Sequence, residues 1–366
     1  MYTEITKIIE GGLNGDREKV YNYSKVLADN LDNSGDKSLA RKIRKIIENR
    51  KSGMLTLDSL SSKPVDGESR MEMVDVTYPS IDDSFLILNK DTEIEIQDFI
   101  KCYFHRDKLI SAGLDEPNTL LLYGPPGCGK TTVAKYISSK IGLPLVTARL
   151  DGLISSLLGS TAKNIRKIFD FASKQECILF LDEFDVIAKV RDDKNEMGEL
   201  KRVVNSLIQN IDVFSRDSII IAATNHHELL DSAIWRRFSR VLSLEKPSVE
   251  EIDTIISRYV TTQNINISVS TKKIEMLSKT MLGLSHADVK TVINNAIKNS
   301  LINEVNSVSL YDILREIYVF KNHSINNINA FLKYLIEHGM THRELQNLGF
   351  SLRKVRMLSK ESKGAV

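Results

Sequence analysis

The chain has 366 residues, of which 42% are hydrophobic and 27% charged, with a formal net charge of +2. That length suits two or three domains of an ordinary water-exposed protein and carries no global electrostatic signature of a nucleic-acid or membrane binder. Cys102, Cys128 and Cys177 fall at no disulfide or metal spacing, no apolar run approaches the roughly 18 residues needed to span a bilayer, and the N-terminus lacks a signal-peptide pattern, so the expectation is a cytoplasmic protein with no membrane partner.

Residues 1–51 read as a helical module. Ile5, Ile8 and Ile9 recur at helical spacing, Gly11-Gly12 interrupts, and 16–31 and 37–47 read as a charged helical pair joined by an Asn-Ser-Gly turn. So small a piece buries little apolar area alone, which favours a recruitment module over a solvated hairpin with no partner. Residues 52–80 are rich in Ser, Gly, Asp and Lys, end at Pro79, and read as a linker. Residues 81–246 begin with an amphipathic helix over about 91–112 and then alternate. Strands are expected at 120–123, 143–148, 177–181 and 219–223, with helices from 132, over 160–173 and over 200–213. Continuous rather than alternating apolar strands predict an α/β fold with a parallel sheet covered by helices on both faces. Residues 247–305 read as a small helical domain without strand signal, opened by capping-box patterns at Ser248-Val249-Glu250-Glu251 and Ser285-His286-Ala287-Asp288. Residues 306–366 read as a helical C-terminal extension.

The chemistry concentrates at Gly124-Pro125-Pro126-Gly127-Cys128-Gly129-Lys130-Thr131, between a buried strand and a helix that continues through Thr132. Glycines let backbone N–H groups cradle phosphate oxygens, and the helix dipole adds to the field. All nine residues from Gly124 to Thr132 are therefore candidate nucleotide contacts, with Lys130 reaching the β- and γ-phosphates of ATP and Thr131 ligating Mg²⁺. Cys128 is either a site of oxidation or a small residue filling a loop position.

Asp182-Glu183 ends the strand 178–181, 52 residues after Lys130. Asp182 is placed to hold Mg²⁺ and Glu183 to polarise a water for in-line attack on the γ-phosphorus. Asn225, at the end of 219–223, either orients that water or is a turn residue. Arg236 and Arg237, after Trp235, are surface charge unless something gives them a target.

Taken together, these stretches resemble the AAA+ ATPase family, in its protein-remodelling and protein-unfolding branch. Gly-x-x-Gly-x-Gly-Lys-Thr, the apolar-Asp-Glu strand, Ala-Ala-Thr-Asn, Asp-x-Ala-x-x-Arg-Arg-Phe and Gly283-x-Ser285-x-Ala287-Asp288 stand in the family's order over about residues 83–305. The resemblance implies that Asn225 is a sensor, that 247–305 is a lid, and that Arg236 and Arg237 are fingers acting on ATP held by a neighbouring subunit. It also implies a homo-oligomeric ring, usually a hexamer, and a protein client gripped by the loop Leu157-Leu158-Gly159. Leu157 stands where the family usually has an aromatic, and Leu157 and Leu158 compete as core residues. His286 replaces a small residue of the lid motif and reads more readily as an exposed first-turn histidine than as a nucleotide contact.

The flanks also resemble bacterial stand-alone AAA ATPases paired with a subtilisin-like protease, through Asp16-Arg17-Glu18-Lys19-Val20, Ala40-Arg41-Lys42-Ile43-Arg44 and Leu158-Gly159-Ser160-Thr161-Ala162-Lys163-Asn164. No protease triad or HExxH motif is evident, so proteolysis would belong to a partner. Residues 335–356 resemble a helix-turn-helix, and from Lys321 on there are eight Lys/Arg and three Glu, a net +5 without His. Arg353, Lys354 and Arg356 then suit contact with DNA, against a bland reading as a helical extension docked on the ring. Three functions are thus expected: a remodelling ATPase, a DNA-associated switch, and a regulatory subunit that holds a partner protease.

Overall fold

The computed structural model describes residues 5–9, 17–33, 40, 43, 63–65, 72–79, 86–114, 117–150, 158–185, 197–214, 218–262, 266–267, 271–302 and 307–363. They divide into two compact units, the first made of residues 1–63 with 174–176 and the second of the remainder. In the first unit, helix α1 (Arg17–Asn33) buries Ala28 and Leu31, in agreement with the apolar spacing of its sequence. Of the helix expected at 37–47, only Ala40 and Ile43 lie among the described residues.

The second unit is built on a six-stranded sheet. In chain order its strands are β1 (Val74–Thr77), β2 (Thr119–Tyr123), β3 (Leu145–Arg149), β4 (Ile178–Asp182), β5 (Ile219–Thr224) and β6 (Arg240–Ser243), and their spatial order is β1-β3-β4-β5-β2-β6. Every pairing is parallel except β1 on β3. The pleat sorts the apolar runs onto two faces. Leu121, Leu179, Leu181 and Ile220 enter one core, whereas Leu120, Leu122, Ile178 and Phe180 enter the other. Helices α2 (Lys90–Phe104) and α3 (Arg106–Ser111) precede β2, and α4 (Lys130–Ile141) follows it. Helices α5 (Leu158–Ala172), α6 (Met197–Phe214) and the single-turn α7 (Ser232–Trp235) supply the other connections. Val133, Ala134 and Ile137 of α4 cover one face and Ile165, Ile168 and Phe169 of α5 the other. The fold is therefore the expected helix-covered parallel sheet.

Two local expectations change. The amphipathic stretch expected as one helix over 91–112 breaks at His105 into α2 and α3. Within the expected linker, Val74–Thr77 is an edge strand, short and carrying Asp75, as edges that must resist further pairing are.

The C-terminal portion is helical: α8 (Val249–Thr262), α9 (Thr271–Thr280), α10 (His286–Ile302), α11 (Leu310–Asn322), α12 (Ile328–Glu337), α13 (His342–Asn347) and α14 (Leu352–Lys363). Both expected capping boxes form. Ser248 N–H donates to Glu251 Oε2 at 2.7 Å, and Ser285 N–H to Asp288 Oδ2 at 3.0 Å, each returned by a bond to the serine Oγ. The expected absence of strands is overturned by a two-residue parallel ladder, β7 (Asn266–Ile267) on β8 (Ser307–Val308). One hydrophobic core runs from Ile252 through Val289, Ile313 and Leu332 to Leu358. The turn before α2 joins this core to the sheet: Ile87 packs against it, while Leu86 and Leu88 pack against the sheet core.

Candidate nucleotide site

The loop from β2 to α4 is held in a form that requires its glycines. Gly124 has φ 137°, and a Cβ there would run into the Leu244 carbonyl. Gly127 has φ 76°, and a Cβ there would sit 2.5 Å from Ser285 Oγ. Gly129, at φ 93°, is the residue that caps α4. Pro125 and Pro126 occupy the turn between the first two glycines. Lys130 is only 8% exposed. Its Nζ donates to the carbonyls of Gly124 at 2.7 Å and Pro125 at 2.9 Å. Burial lowers its pKa from the ordinary lysine range, and the nearby Cys128, Asp182 and Asp185 oppose that shift. Thr131 is exposed, Thr132 is half-buried beside it on the first turn of α4, and Thr131 Oγ1 donates to Asp182 Oδ2 at 3.4 Å. One hydroxyl and one carboxylate, with no soft ligand, form a donor set that fits a hard divalent cation such as Mg²⁺.

The end of β4 supplies the carboxylates. Asp182 Oδ1 accepts from Glu183 N–H at 2.9 Å. Glu183 is exposed and adopts φ 54°, a left-handed conformation that a non-glycine residue holds only where its surroundings enforce it. The enforcing bond is the next one, from Phe184 N–H to the Ala223 carbonyl at 2.8 Å, which ties the turn to β5.

Asp185, missed by the sequence reading, completes this corner. It is 4% exposed, and its Oδ1 accepts from Thr224 Oγ1 at 3.1 Å and Asn225 N–H at 3.4 Å. It thereby ties half-buried Asn225 to the same turn that carries Asp182 and Glu183. The available signal was the Asp-Glu-x-Asp spacing at the strand end.

The two arginines separate. Arg237 donates through Nε to Asp212 at 3.3 Å and through a terminal nitrogen to the Ala233 carbonyl at 2.5 Å, so its side chain is engaged within its own chain. Arg236 is exposed at the end of α7. Leu157 lies outside the described residues, and Leu158 and Gly159 open α5.

A cleft of about 430 Å³ adjoins the loop, lined among others by Leu88, Asn89, Cys128, Lys246, Gly283 and His286. The first turn of α10 docks on the loop directly, since Ala287 N–H donates to the Gly127 carbonyl at 3.0 Å. His286 is not the exposed first-turn histidine expected from sequence. It is half-buried in the cleft wall, with both ring nitrogens sealed from solvent. Cys128 is 1% exposed, and burial raises its thiol pKa, which suits packing better than redox reactivity.

Of the helix-turn-helix segment, α12 to α14 are present, with Gly339 at φ 83° and Gly349 at φ 89° in the turns. Thr341 and Glu344 form a capping box at α13, and Glu344 pairs with Lys273 of α9 at 2.8 Å. Leu345, Val355 and Leu358 enter the core that begins at Ile252, while Arg353 and Arg356 are exposed and Lys354 is half-buried.

Comparison with known proteins agrees with this geometry. Residues 120–246 match the model of the ATPase family associated with various cellular activities (AAA). An uncharacterized AAA family ATPase, y4kL, of Sinorhizobium fredii is 36% identical over 79% of this chain and 86% of its own length. An ATP-dependent zinc metalloprotease FtsH of Ureaplasma parvum is 32% identical over 60% of the chain and 30% of its own length. Proteasome-activating nucleotidase 1 of Haloferax volcanii is 33% identical over 55% of the chain and 51% of its own length. The chain thus spans about a third to a half of these last two relatives. It is an ATP hydrolase and belongs to the AAA ATPase family.

Proposed function

We propose that this ATPase assembles as a homo-oligomeric ring, a hexamer, and couples ATP hydrolysis to remodelling or unfolding of a protein client. The observation that carries the reading is the division of labour at α7: Arg237 is engaged within its own chain, and Arg236 is presented outward. An outward arginine two turns from the sensor strand suits a finger acting on a neighbour's nucleotide. The kinship with a proteasome-activating nucleotidase and with FtsH proteases supports a protein client.

In this reading the backbone N–H groups of Gly127, Cys128 and Gly129 and the Lys130 ammonium hold the β- and γ-phosphates. Thr131 and Asp182 would hold Mg²⁺, which when bound neutralises charge on the phosphate oxygens. Glu183 takes a proton from the attacking water as its oxygen bonds to the γ-phosphorus, while the bond to the β-phosphate oxygen breaks and ADP leaves. Asn225, tied by Asp185, orients that water. Arg236 of the adjacent subunit stabilises the transferring phosphoryl group, a contribution of about 10³–10⁵ in rate for such fingers. Leu157, Leu158 and Gly159 would grip the client, and a subtilisin-like protease is one candidate partner.

Mixing subunits tests this. Arg236→Ala and Lys130→Ala chains should each be inactive alone, and ATPase should return on mixing, because an intact loop then meets an intact arginine. Co-assembled mixtures that stay inactive, or an Arg236→Ala chain with full activity, would sink the reading.

A second reading, DNA association, is favoured by one observation: Arg353, Arg356 and Lys360 stand exposed at i, i+3 and i+7 of α14. Removing residues 325–366 would strip Phe331, Leu332 and Val355 from the shared core, so Arg353→Glu with Arg356→Glu is the cleaner probe. Duplex binding that weakens with salt and vanishes in that variant would favour this reading.

A further inference from the structure

The turn that presents Arg236 is anchored to the strand that carries the phosphate loop. Strand β2 starts at Thr119 and runs into Gly124, and its ladder with β6 begins one position later, at Leu120 on Arg240. Between α7 and β6 the chain turns through residues 236–239, and there the Thr119 side chain continues the ladder. Its Oγ1 donates to the Arg237 carbonyl at 2.8 Å and accepts from Ser239 N–H at 2.9 Å. Ser239 Oγ donates in return to the Pro117 carbonyl at 2.7 Å, just before β2. Thr119 is 0% exposed, so water does not compete for its hydroxyl. Without that hydroxyl a carbonyl and an N–H of the turn lose their partner, and a polar group left unmatched costs more than a matched one returns.

Aromatic packing holds the same turn from its two sides. Tyr123, the last residue of β2, meets the Trp235 ring edge-on, with centroids 5.7 Å apart. Phe238 is buried and meets Phe184, the residue after Glu183, edge-on at 5.8 Å. Exposed Arg236 therefore stands between two anchored rings, and the next carbonyl along the chain is the one that Thr119 holds.

We propose that Thr119 is a positioning residue for Arg236: its hydroxyl holds the turn that carries the outward guanidinium and ties that turn to the strand ending in the chain's own phosphate loop. This rests on the reading of Arg236 as a finger for a neighbour's ATP. Thr119 lies at the end of β2 away from the loop and acts on the chemistry only through the arginine. Threonine suits the task because a branched Cβ restricts χ1 and keeps the hydroxyl aimed at the turn. A misplacement of about 1 Å, far from the chemistry, can cost about 10²-fold in rate. Loss of the hydroxyl is therefore felt in the neighbour's site and not in the chain's own.

The test uses full-length chains co-assembled in pairs. The loop donor carries Arg236→Ala and the arginine donor carries Lys130→Ala, so ATP is turned over only where the first chain's loop meets the second chain's Arg236. Adding Thr119→Val to the arginine donor should lower kcat roughly 10–100-fold with KM for ATP unchanged, as for an interaction made only in the transition state. Adding Thr119→Val to the loop donor, whose arginine is already gone, should leave turnover at the level of the reference pair. Thr119→Ser in the arginine donor keeps the hydroxyl and should recover most of the loss. Equal losses in the two placements would make Thr119 a packing residue of β2 and overturn the assignment, as would full turnover with Thr119→Val in the arginine donor. A reference pair that stays inactive with Thr119 intact brings down the finger reading itself, and the assignment with it.

Discussion

The sheet and the helical body of the second unit place function differently with respect to their cores. In the sheet, the packing residues of β2, β4 and β5 end where the chemistry begins: Leu122 is buried and Gly124 is loop, Leu181 is buried and Glu183 is exposed. Side chains at the carboxyl ends of the strands can therefore change without disturbing the apolar run behind them. In the helical body the same turn does both jobs. The first turn of α10 caps its helix through Ser285 and Asp288, touches the phosphate loop through Ala287, faces the cleft with His286, and enters the core at Val289. A site built beyond a core can be altered cleanly, whereas one built into the start of a core helix cannot.

Breaking the sheet side should give the largest effect with the least structural cost. Glu183→Gln should lower ATP turnover by about 10²–10⁴, the usual contribution of a general base, while nucleotide affinity and the melting transition stay near those of the parent. Steady-state phosphate release together with a nucleotide titration checks both halves of that statement. The helical side should behave oppositely. Leu332→Ala, in the core shared by α8 to α14, should destabilise the fold by about 2–5 kcal/mol. It should also weaken nucleotide binding, although it lies outside the cleft, and amide exchange should show α8 to α14 opening together. Independent opening of α12 to α14 would break the comparison. The smallest effect sharpens it: Thr341→Ala removes one capping box at α13 and should cost about 1 kcal/mol, read from a denaturant midpoint, with ATPase unchanged.

What was legible in the sequence divides along the same line. The phosphate loop could be read because backbone geometry is written directly in residue type: Gly124, Gly127 and Gly129 all hold positive φ. The buried strands could be read because parallel strands covered on both faces are apolar at every position. β1 could not, since Val-Asp-Val-Thr is four residues in a polar stretch and becomes a strand only by pairing with β3. The β7–β8 ladder joins residues about 40 apart over two positions, too short a run to leave a periodicity. Asp185 and His286 escaped because burial is decided by segments distant in sequence, the β5 end in the case of Asp185 and the other walls of the cleft in the case of His286. The outward pose of Arg236 was hidden for the same reason: adjacent arginines look alike until Asp212 captures one of them.

The three residues before Asn89 carry a mechanical consequence. Leu86 and Leu88 are anchored in the sheet core and Ile87, between them, in the helical core, so the chain is stitched alternately to two bodies within about 10 Å of backbone. A rotation of the helical body cannot leave that stitch in place; it must pull on it. Their apolar character thus makes residues 86–88 a short strap that couples any tilt of the helical body to the sheet.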